Sequence, residues 1–268
     1  MPKFSFIVSG RNDGYDGNFT ERLIIALRRN IKSFPDAEFI FVEWNSYIDR
    51  PLVSAKLKRV YGDRIKYYVV HPNYHKYYCN IDGFLEYPAK NVGVRRATGE
   101  YICCTNSDII FCPDMVNFLN TVPLNKEYLY RAARIDIRRD YLNVAFPLHR
   151  KYILEENYGP MNAAGDFLLM HKDLWINNTA YCEEFPWQRL HKDAQIVWLI
   201  SEVQRHKVVN VGSMTHWRHP SSWSNGKCRA KVGDVNWEFM KCDYRKNKDT
   251  WGLSFAQEVE KDGFIWLM

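Results

Sequence analysis

No CxxC pair occurs among the seven cysteines of this 268-residue chain, which are Cys79, Cys103, Cys104, Cys112, Cys182, Cys228 and Cys242. The odd count, with Cys103 and Cys104 inside an apolar run, argues against a disulfide framework or a zinc site and for reduced thiols in a cytosolic setting. No apolar stretch is long enough to span a bilayer, so no transmembrane segment is expected. Met1-Pro2-Lys3-Phe4 passes straight into a strand pattern, without a signal peptide's charged and apolar regions. A cytoplasmic location is the expectation, under which the sequons at Asn18 and Asn177 carry no glycan. Internal repeats, low-complexity tracts and sharp composition breaks are also missing, which favours a single domain over residues 1–268. A one-signed charge excess is missing too: 37 Lys and Arg face 31 Asp and Glu, for a net charge of +6. That balance suits an anionic ligand and falls short of a nucleic-acid-binding tail.

Aromatics are plentiful, at 15% of residues with 17 Tyr and 9 Trp. Such rings line sugar and base sites with flat apolar faces, and they also fill cores, which composition alone favours.

The first half alternates strand and helix patterns. Phe4-Ser5-Phe6-Ile7-Val8 runs into the loop Ser9-Gly10-Arg11-Asn12-Asp13-Gly14. A helix follows on the stripe Phe19, Leu23, Leu27, Ile31 and Phe34, with Asn18 and Glu21 at capping-box spacing and Pro35 as its stop. Phe39-Ile40-Phe41-Val42 is a second strand leading into Glu43-Trp44-Asn45. A helix over 51–61 closes at Gly62, and Ile65 to Val70 is a third strand. A helix over 88–98 closes at Gly99, before a fourth strand at Tyr101-Ile102-Cys103-Cys104. This order predicts an α/β fold with right-handed crossovers and a mainly parallel sheet flanked by helices. Ligands of such sheets bind beyond the carboxyl ends of the strands, where the loops at 11–13, 43–45 and 106–108 would converge. In the second half, strands are expected at 128–137, 165–170 and 208–209 and a helix at 191–206. The tail from Ser213 has no clear period.

Asn106-Ser107-Asp108 follows the fourth strand directly. A polar triplet ending in a carboxylate at that place can hold a hard divalent cation through oxygen ligands, although Asn, Ser and Asp are also common turn residues. The stretch before it, Lys90-Asn91-Val92-Gly93-Val94-Arg95-Arg96-Ala97-Thr98-Gly99-Glu100-Tyr101-Ile102, resembles the segment leading into the DxD-type motif of GT-A fold glycosyltransferases, family 2-like in its order. The first strand with its Arg11-Asn12-Asp13 loop is similar to the nucleotide-binding start of that fold. Gly165-Asp166-Phe167 is similar to its acceptor-side strand. Glu183-Glu184-Phe185-Pro186-Trp187, His191-Lys192-Asp193 and His216-Trp217-Arg218-His219 with Trp223 continue the likeness, which covers residues 4 to about 226. Asn106 departs from the pattern by standing where the first Asp is usual.

The resemblance implies a Rossmann-like GT-A fold with a smaller acceptor-side sheet. Residues 1–112 would form a nucleotide-sugar-binding half, 113–226 an acceptor-binding half and 227–268 a C-terminal tail. It implies a metal-assisted hexosyl- or pentosyltransferase using Mn2+ or Mg2+ and a nucleotide-sugar donor, UDP-linked, with a glycan or other hydroxyl-bearing acceptor and no nucleic acid.

Asp108 is then the principal metal ligand. His219 is a further ligand, with His216 three residues earlier as its alternative. Ser9, Arg11, Asp13, Glu43, Asn91, Arg95, Asn106 and Ser107 would line the donor site. Asp13 and Glu43 would serve base or ribose, unless they act as loop or helix caps. One of Arg95 and Arg96 would meet phosphate. An inverting reaction needs a carboxylate base, for which Asp193 ranks first, with Asp166, Glu183 and Glu184 behind it. Asp166 would otherwise hold sugar hydroxyls, and Trp187 and Trp223 would stack on sugar faces.

Two other readings compete. A nucleotidyltransferase would share the metal and the sheet, but Ser9–Gly14 matches a Gly-rich phosphate loop poorly. A non-catalytic carbohydrate- or RNA-binding module would suit the aromatics and the charge, but it leaves the convergent acidic loops unexplained.

Overall fold

In the computed structural model, residues 1–15, 17–79, 82–157, 165–184, 192–219 and 246–268 are described. The first half holds strands β1 (Phe4–Gly10), β2 (Glu38–Trp44), β3 (Lys66–Val70) and β4 (Tyr101–Thr105). Helices α1 (Phe19–Ser33), α2 (Val53–Tyr61), α3 (Pro72–Tyr78) and α4 (Glu86–Arg96) connect them. The four strands pair in parallel in the order β3-β2-β1-β4. All seven residues of β1 are buried, because helices cover both faces of the sheet. Phe4, Phe6 and Val8 pack with Leu23 and Leu27 of α1, and Ile7 points the other way into a layer with Val92 of α4.

From β4 the same sheet continues antiparallel into β8 (Phe167–His171), then into β6 (Leu129–Ile137). Next come β9 (Val208–Trp217), parallel to β6, and the short edge strand β5 (Ile109–Phe111), antiparallel to β9. The strands expected to form a smaller second sheet are therefore continuous with the main sheet. A further strand, β7 (Ile153–Asn157), pairs with β6 alone. Helices α5 (Pro113–Thr121), α6 (Lys172–Asn177) and α7 (Lys192–Trp198) complete this half, and a π-helical turn (Leu199–Val203) extends α7.

Several local expectations are corrected. Asn18 makes no side-chain capping bond at α1. Helix α4 begins at Glu86, because Pro88 in a first turn needs no N–H donor. The segment from Ser213 is no irregular tail: β9 runs on through Trp217, held between β6 and β5. The described C-terminal residues also join the sheet. There β11 (Phe264–Leu267) pairs parallel with β3, and β10 (Glu258–Lys261) forms the outer edge. Residues 227–245 of the expected tail lie outside the described residues.

Glycine 93 lets α4 approach β1: a Cβ there would stand 2.5 Å from Ile7 Cγ2. Alanine favours a helix over glycine by about 1 kcal/mol, yet overpacking a core costs about 1–3 kcal/mol. Gly93→Ala is therefore expected to lower stability by up to about 2 kcal/mol in urea denaturation.

Candidate metal centre and its surroundings

Helix α1 aims more than apolar side chains at the sheet. Its buried residues are Phe19, Arg22, Leu23, Ala26, Leu27 and Asn30. The Asn30 amide donates to the Ile109 carbonyl at 2.9 Å and accepts from the Phe111 N–H at 3.1 Å, acting as a strand neighbour for β5. An edge strand's unpaired backbone groups are thereby satisfied from a helix. This clamp fixes the start of β5 and with it Asp108, the residue before Ile109.

Two imidazoles meet Asp108. Its Oδ2 lies 3.0 Å from His219 Nε2 and 3.7 Å from His216 Nε2. The three side chains each offer one ligand atom, all within 4.8 Å of one another, and this set can hold a metal ion. The donor chemistry fits a divalent cation: one carboxylate and two imidazole nitrogens leave coordination positions open. His216 Nδ1 bonds Asp136 Oδ1 at 2.7 Å, which turns Nε2 toward Asp108. A carboxylate behind a ligating imidazole fixes its tautomer and raises its basicity. His219 Nδ1 sits 3.5 Å from the Tyr15 hydroxyl, with the rings edge to face. The loop after β1 thus reaches the same centre.

Cations crowd the carboxylates. Burial opposes the charge on Asp108, yet the two histidines and Arg22, at 3.6 Å, outweigh it and hold its carboxyl at about 2. Burial likewise opposes the charge on Asp136, and His216 and Arg134 bring its pKa below the usual carboxylate range. Burial would lower His216, but Asp108 and Asp136 push it up.

The site continues toward Asp166. Arg134 bonds Asp166 Oδ2 at 2.9 Å and reaches Asp136 at 3.2 Å. Asp166 Oδ1 accepts from Asn106 Nδ2 at 2.6 Å, and the Asn106 amide oxygen accepts from Lys90 Nζ at 2.7 Å. Lys90 is buried and also meets Glu86 and the Gly165 carbonyl. Asn106 thus links Asp166 to a buried lysine, and Ser107 stands half-buried between it and Asp108. Asp193, the second residue of α7, lies against Gly165 and accepts a hydrogen bond from Tyr87.

Other expected site residues have structural partners. Glu43 is fully buried and caps α2, its oxygens accepting from the Val53 and Ser54 N–H groups and the Ser46 and Ser54 hydroxyls. Of its two expected roles, this is the helix cap. Asp13 accepts from the Tyr15 N–H in its own loop. Arg11 bonds Asp82 at 2.7 Å and stacks on Tyr47, and Ser9 is buried in β1 beside Val42. Asn91 is buried, joined to the Tyr181 backbone and Glu183.

Arg95 and Arg96 are corrected more sharply. Arg95 meets the Trp251 carbonyl and ring, while Arg96 binds Glu258 and the Gly252 and Leu253 carbonyls. Both guanidiniums anchor the C-terminal segment through its backbone carbonyls. Arg22 and Arg134 are the cations beside Asp108 and Asp166. The signal for Arg22 was present in the sequence, as a charged residue on an apolar helical stripe. Glu183 is half-buried among Asn91, Tyr78 and the Gly252 N–H, and desolvation raises its pKa. Trp187, His191 and Trp223 lie outside the described residues.

No protein-family model matches the chain, and no curated protein matches it. Among solved structures, it is similar to the mannosyltransferase PcManGT from Pyrobaculum calidifontis in complex with GDP-Man and Mn2+. The two are 14% identical, with a TM-score of 0.49, over 90% of this chain and 61% of that one. The chain thus spans about three-fifths of that protein's length. Among the described residues, no helix is long and apolar enough to cross a membrane.

Mn2+ titration followed by calorimetry checks the centre. Asp108→Ala and His216→Ala are expected to abolish measurable binding. Asp136→Asn removes the carboxylate charge shared by His216 and Arg134 and is expected to weaken binding about 10–100-fold. Separately, Glu43→Ala strips buried amides of their acceptor and is expected to cost about 2 kcal/mol or more of stability, with metal binding retained.

Proposed function

We propose that this protein is a glycosyltransferase. It moves a hexosyl or pentosyl group from a nucleoside-diphosphate sugar, UDP-linked, to a hydroxyl of a glycan or similar acceptor. The observation that carries the reading is the Asp108, His216 and His219 set at the carboxyl edge of the sheet, touched by the loop after β1 and bridged through Arg134 to Asp166. Ligands of open α/β sheets bind at that edge.

Mn2+ or Mg2+ held there would neutralise the diphosphate and stabilise the leaving group as its bond to the sugar breaks. Asp108, His216 and His219 would hold it, and Asp136 orients His216. Arg11, Tyr47 and Asp13 border the donor's entry between the loops after β1 and β2. Asn106 and Ser107 lie beside Asp108. Lys90 and Arg134 keep Asn106 and Asp166 in fixed hydrogen-bond roles, and Asp166 holds sugar hydroxyls. Asp193, with Tyr87 donating to it, is the base that takes the proton of the acceptor hydroxyl as that oxygen attacks the anomeric carbon with inversion.

A panel of UDP-, GDP- and CDP-sugars, with Mn2+, Mg2+ or EDTA, tests this by release of the nucleoside diphosphate. At least one donor is expected to be cleaved, only with metal, and fastest when UDP-linked. Asp193→Asn is expected to lower turnover about 10²-fold or more at unchanged donor affinity. Binding without cleavage of any donor would indicate a carbohydrate-binding module. Formation of nucleotide-sugar from a nucleoside triphosphate and a sugar phosphate would indicate a nucleotidyltransferase. Either result overturns the proposal.

A further inference from the structure

Beside the metal centre the same sheet edge carries a groove of about 490 Å³, lined among the described residues by Asn18, Arg138, Arg139, Leu142, Leu154 and Arg218, with Asp140. The fold puts these arginines together for a simple reason. Strands β6 and β9 are parallel neighbours, so the residues that follow them leave the sheet side by side, and the Arg218 N–H donates to the Ile137 carbonyl at 2.9 Å. Arg218 directly precedes the metal ligand His219. On the groove's other wall, Gly17 faces Arg139, with 3.8 Å between Nη2 and the place a Cβ would occupy. Gly17 lies two residues after Tyr15, which packs on His219. Groove and metal centre are therefore one continuous surface.

Its charge is positive and readily redirected. Arg138 is held by Asp140 at 2.7 Å and Arg218 by Glu155 at 3.5 Å, but both pairs are exposed. Exposed pairs of this kind contribute little, so an incoming anion can displace the carboxylates at small cost. Guanidinium groups bind phosphate and carboxylate in bidentate fashion. Leu142 and Leu154 supply an apolar floor against which a sugar or chain can lie.

We infer that this groove binds the acceptor, and that the acceptor carries a phosphate or carboxylate held by Arg138, Arg139 and Arg218. The inference rests on the glycosyltransferase reading for the word acceptor, while anion binding itself does not depend on it. An acceptor so anchored would be positioned along the edge toward the metal centre.

Calorimetric titration in EDTA with glucose 6-phosphate, glucuronate and glucose tests it on the wild-type protein and on Arg139→Gln/Arg218→Gln. One or both anionic sugars are expected to bind at least tenfold tighter than glucose, and which one does identifies the anion. The double variant is expected to lose that preference while keeping its melting temperature and its Mn2+ affinity. Equal binding of all three sugars, or a preference that survives the double substitution, overturns the inference. Donor cleavage measured on the same two proteins separates the two claims. A lost anion preference without any donor cleavage leaves the groove standing and removes the transferase reading. Donor cleavage with an unchanged anion preference does the reverse.

Discussion

Parallel pairing of β6 with β9 sets Asp136 directly opposite His216, and antiparallel pairing of β9 with β5 sets Ile109 opposite the same histidine. His216 is thus flanked across two ladders, by the carboxylate that orients it and by the residue next to Asp108. Side chains alternate faces along a strand, so a slip of one residue in either ladder would turn the imidazole to the other side of the sheet. The donor set of the metal centre exists only in this register. Asn30 of α1 guards the outer ladder by bonding both β5 groups that would otherwise be unpaired. The geometry of one edge strand therefore rests on an amide in a helix almost eighty residues earlier in the chain.

From that centre the charges alternate outward. Asp108 meets His216, His219 and Arg22; Asp136 meets His216 and Arg134; Asp166 meets Arg134 and Asn106, and Asn106 meets Lys90. Each buried carboxylate has a cation or donor on it, which is the condition for keeping such groups ionised inside a protein. The network links the end of β4, the end of β6 and the start of β8, three strands whose order in the sheet is not their order in the chain. Removing a single member leaves its partner buried without a counter-group, so perturbations here are expected to spread along the network.

The parallel half of the fold was legible because its strands are apolar runs separated by helices with ordinary stops. Asp108 was legible because it follows such a run. The second half was harder for a physical reason. Met214, Thr215 and Trp217 are buried around His216, so β9 mixes polar and apolar residues on a strand that reads as irregular. A pattern search for apolar alternation fails where the strand itself carries ligands. Arg95 and Arg96 have the look of phosphate binders, but their partners at 251–258 lie 156–162 residues away, and no local pattern reports such contacts. Glu43 was assigned two roles by its place after a strand, and the Val53 and Ser54 amides ten residues on decide for the cap.

Under the proposed function, His216 of β9, His219 two residues beyond that strand and Asp108 would hold the ion that neutralises the donor's diphosphate. Electron–nuclear double resonance on the Mn2+-loaded protein with a bound nucleoside diphosphate tests it most directly. Nitrogen couplings from two imidazoles are expected together with phosphorus couplings on the same ion, with loss of one nitrogen coupling in His219→Ala. Phosphorus couplings without any from imidazole, or imidazole couplings that never coexist with phosphorus, would contradict it.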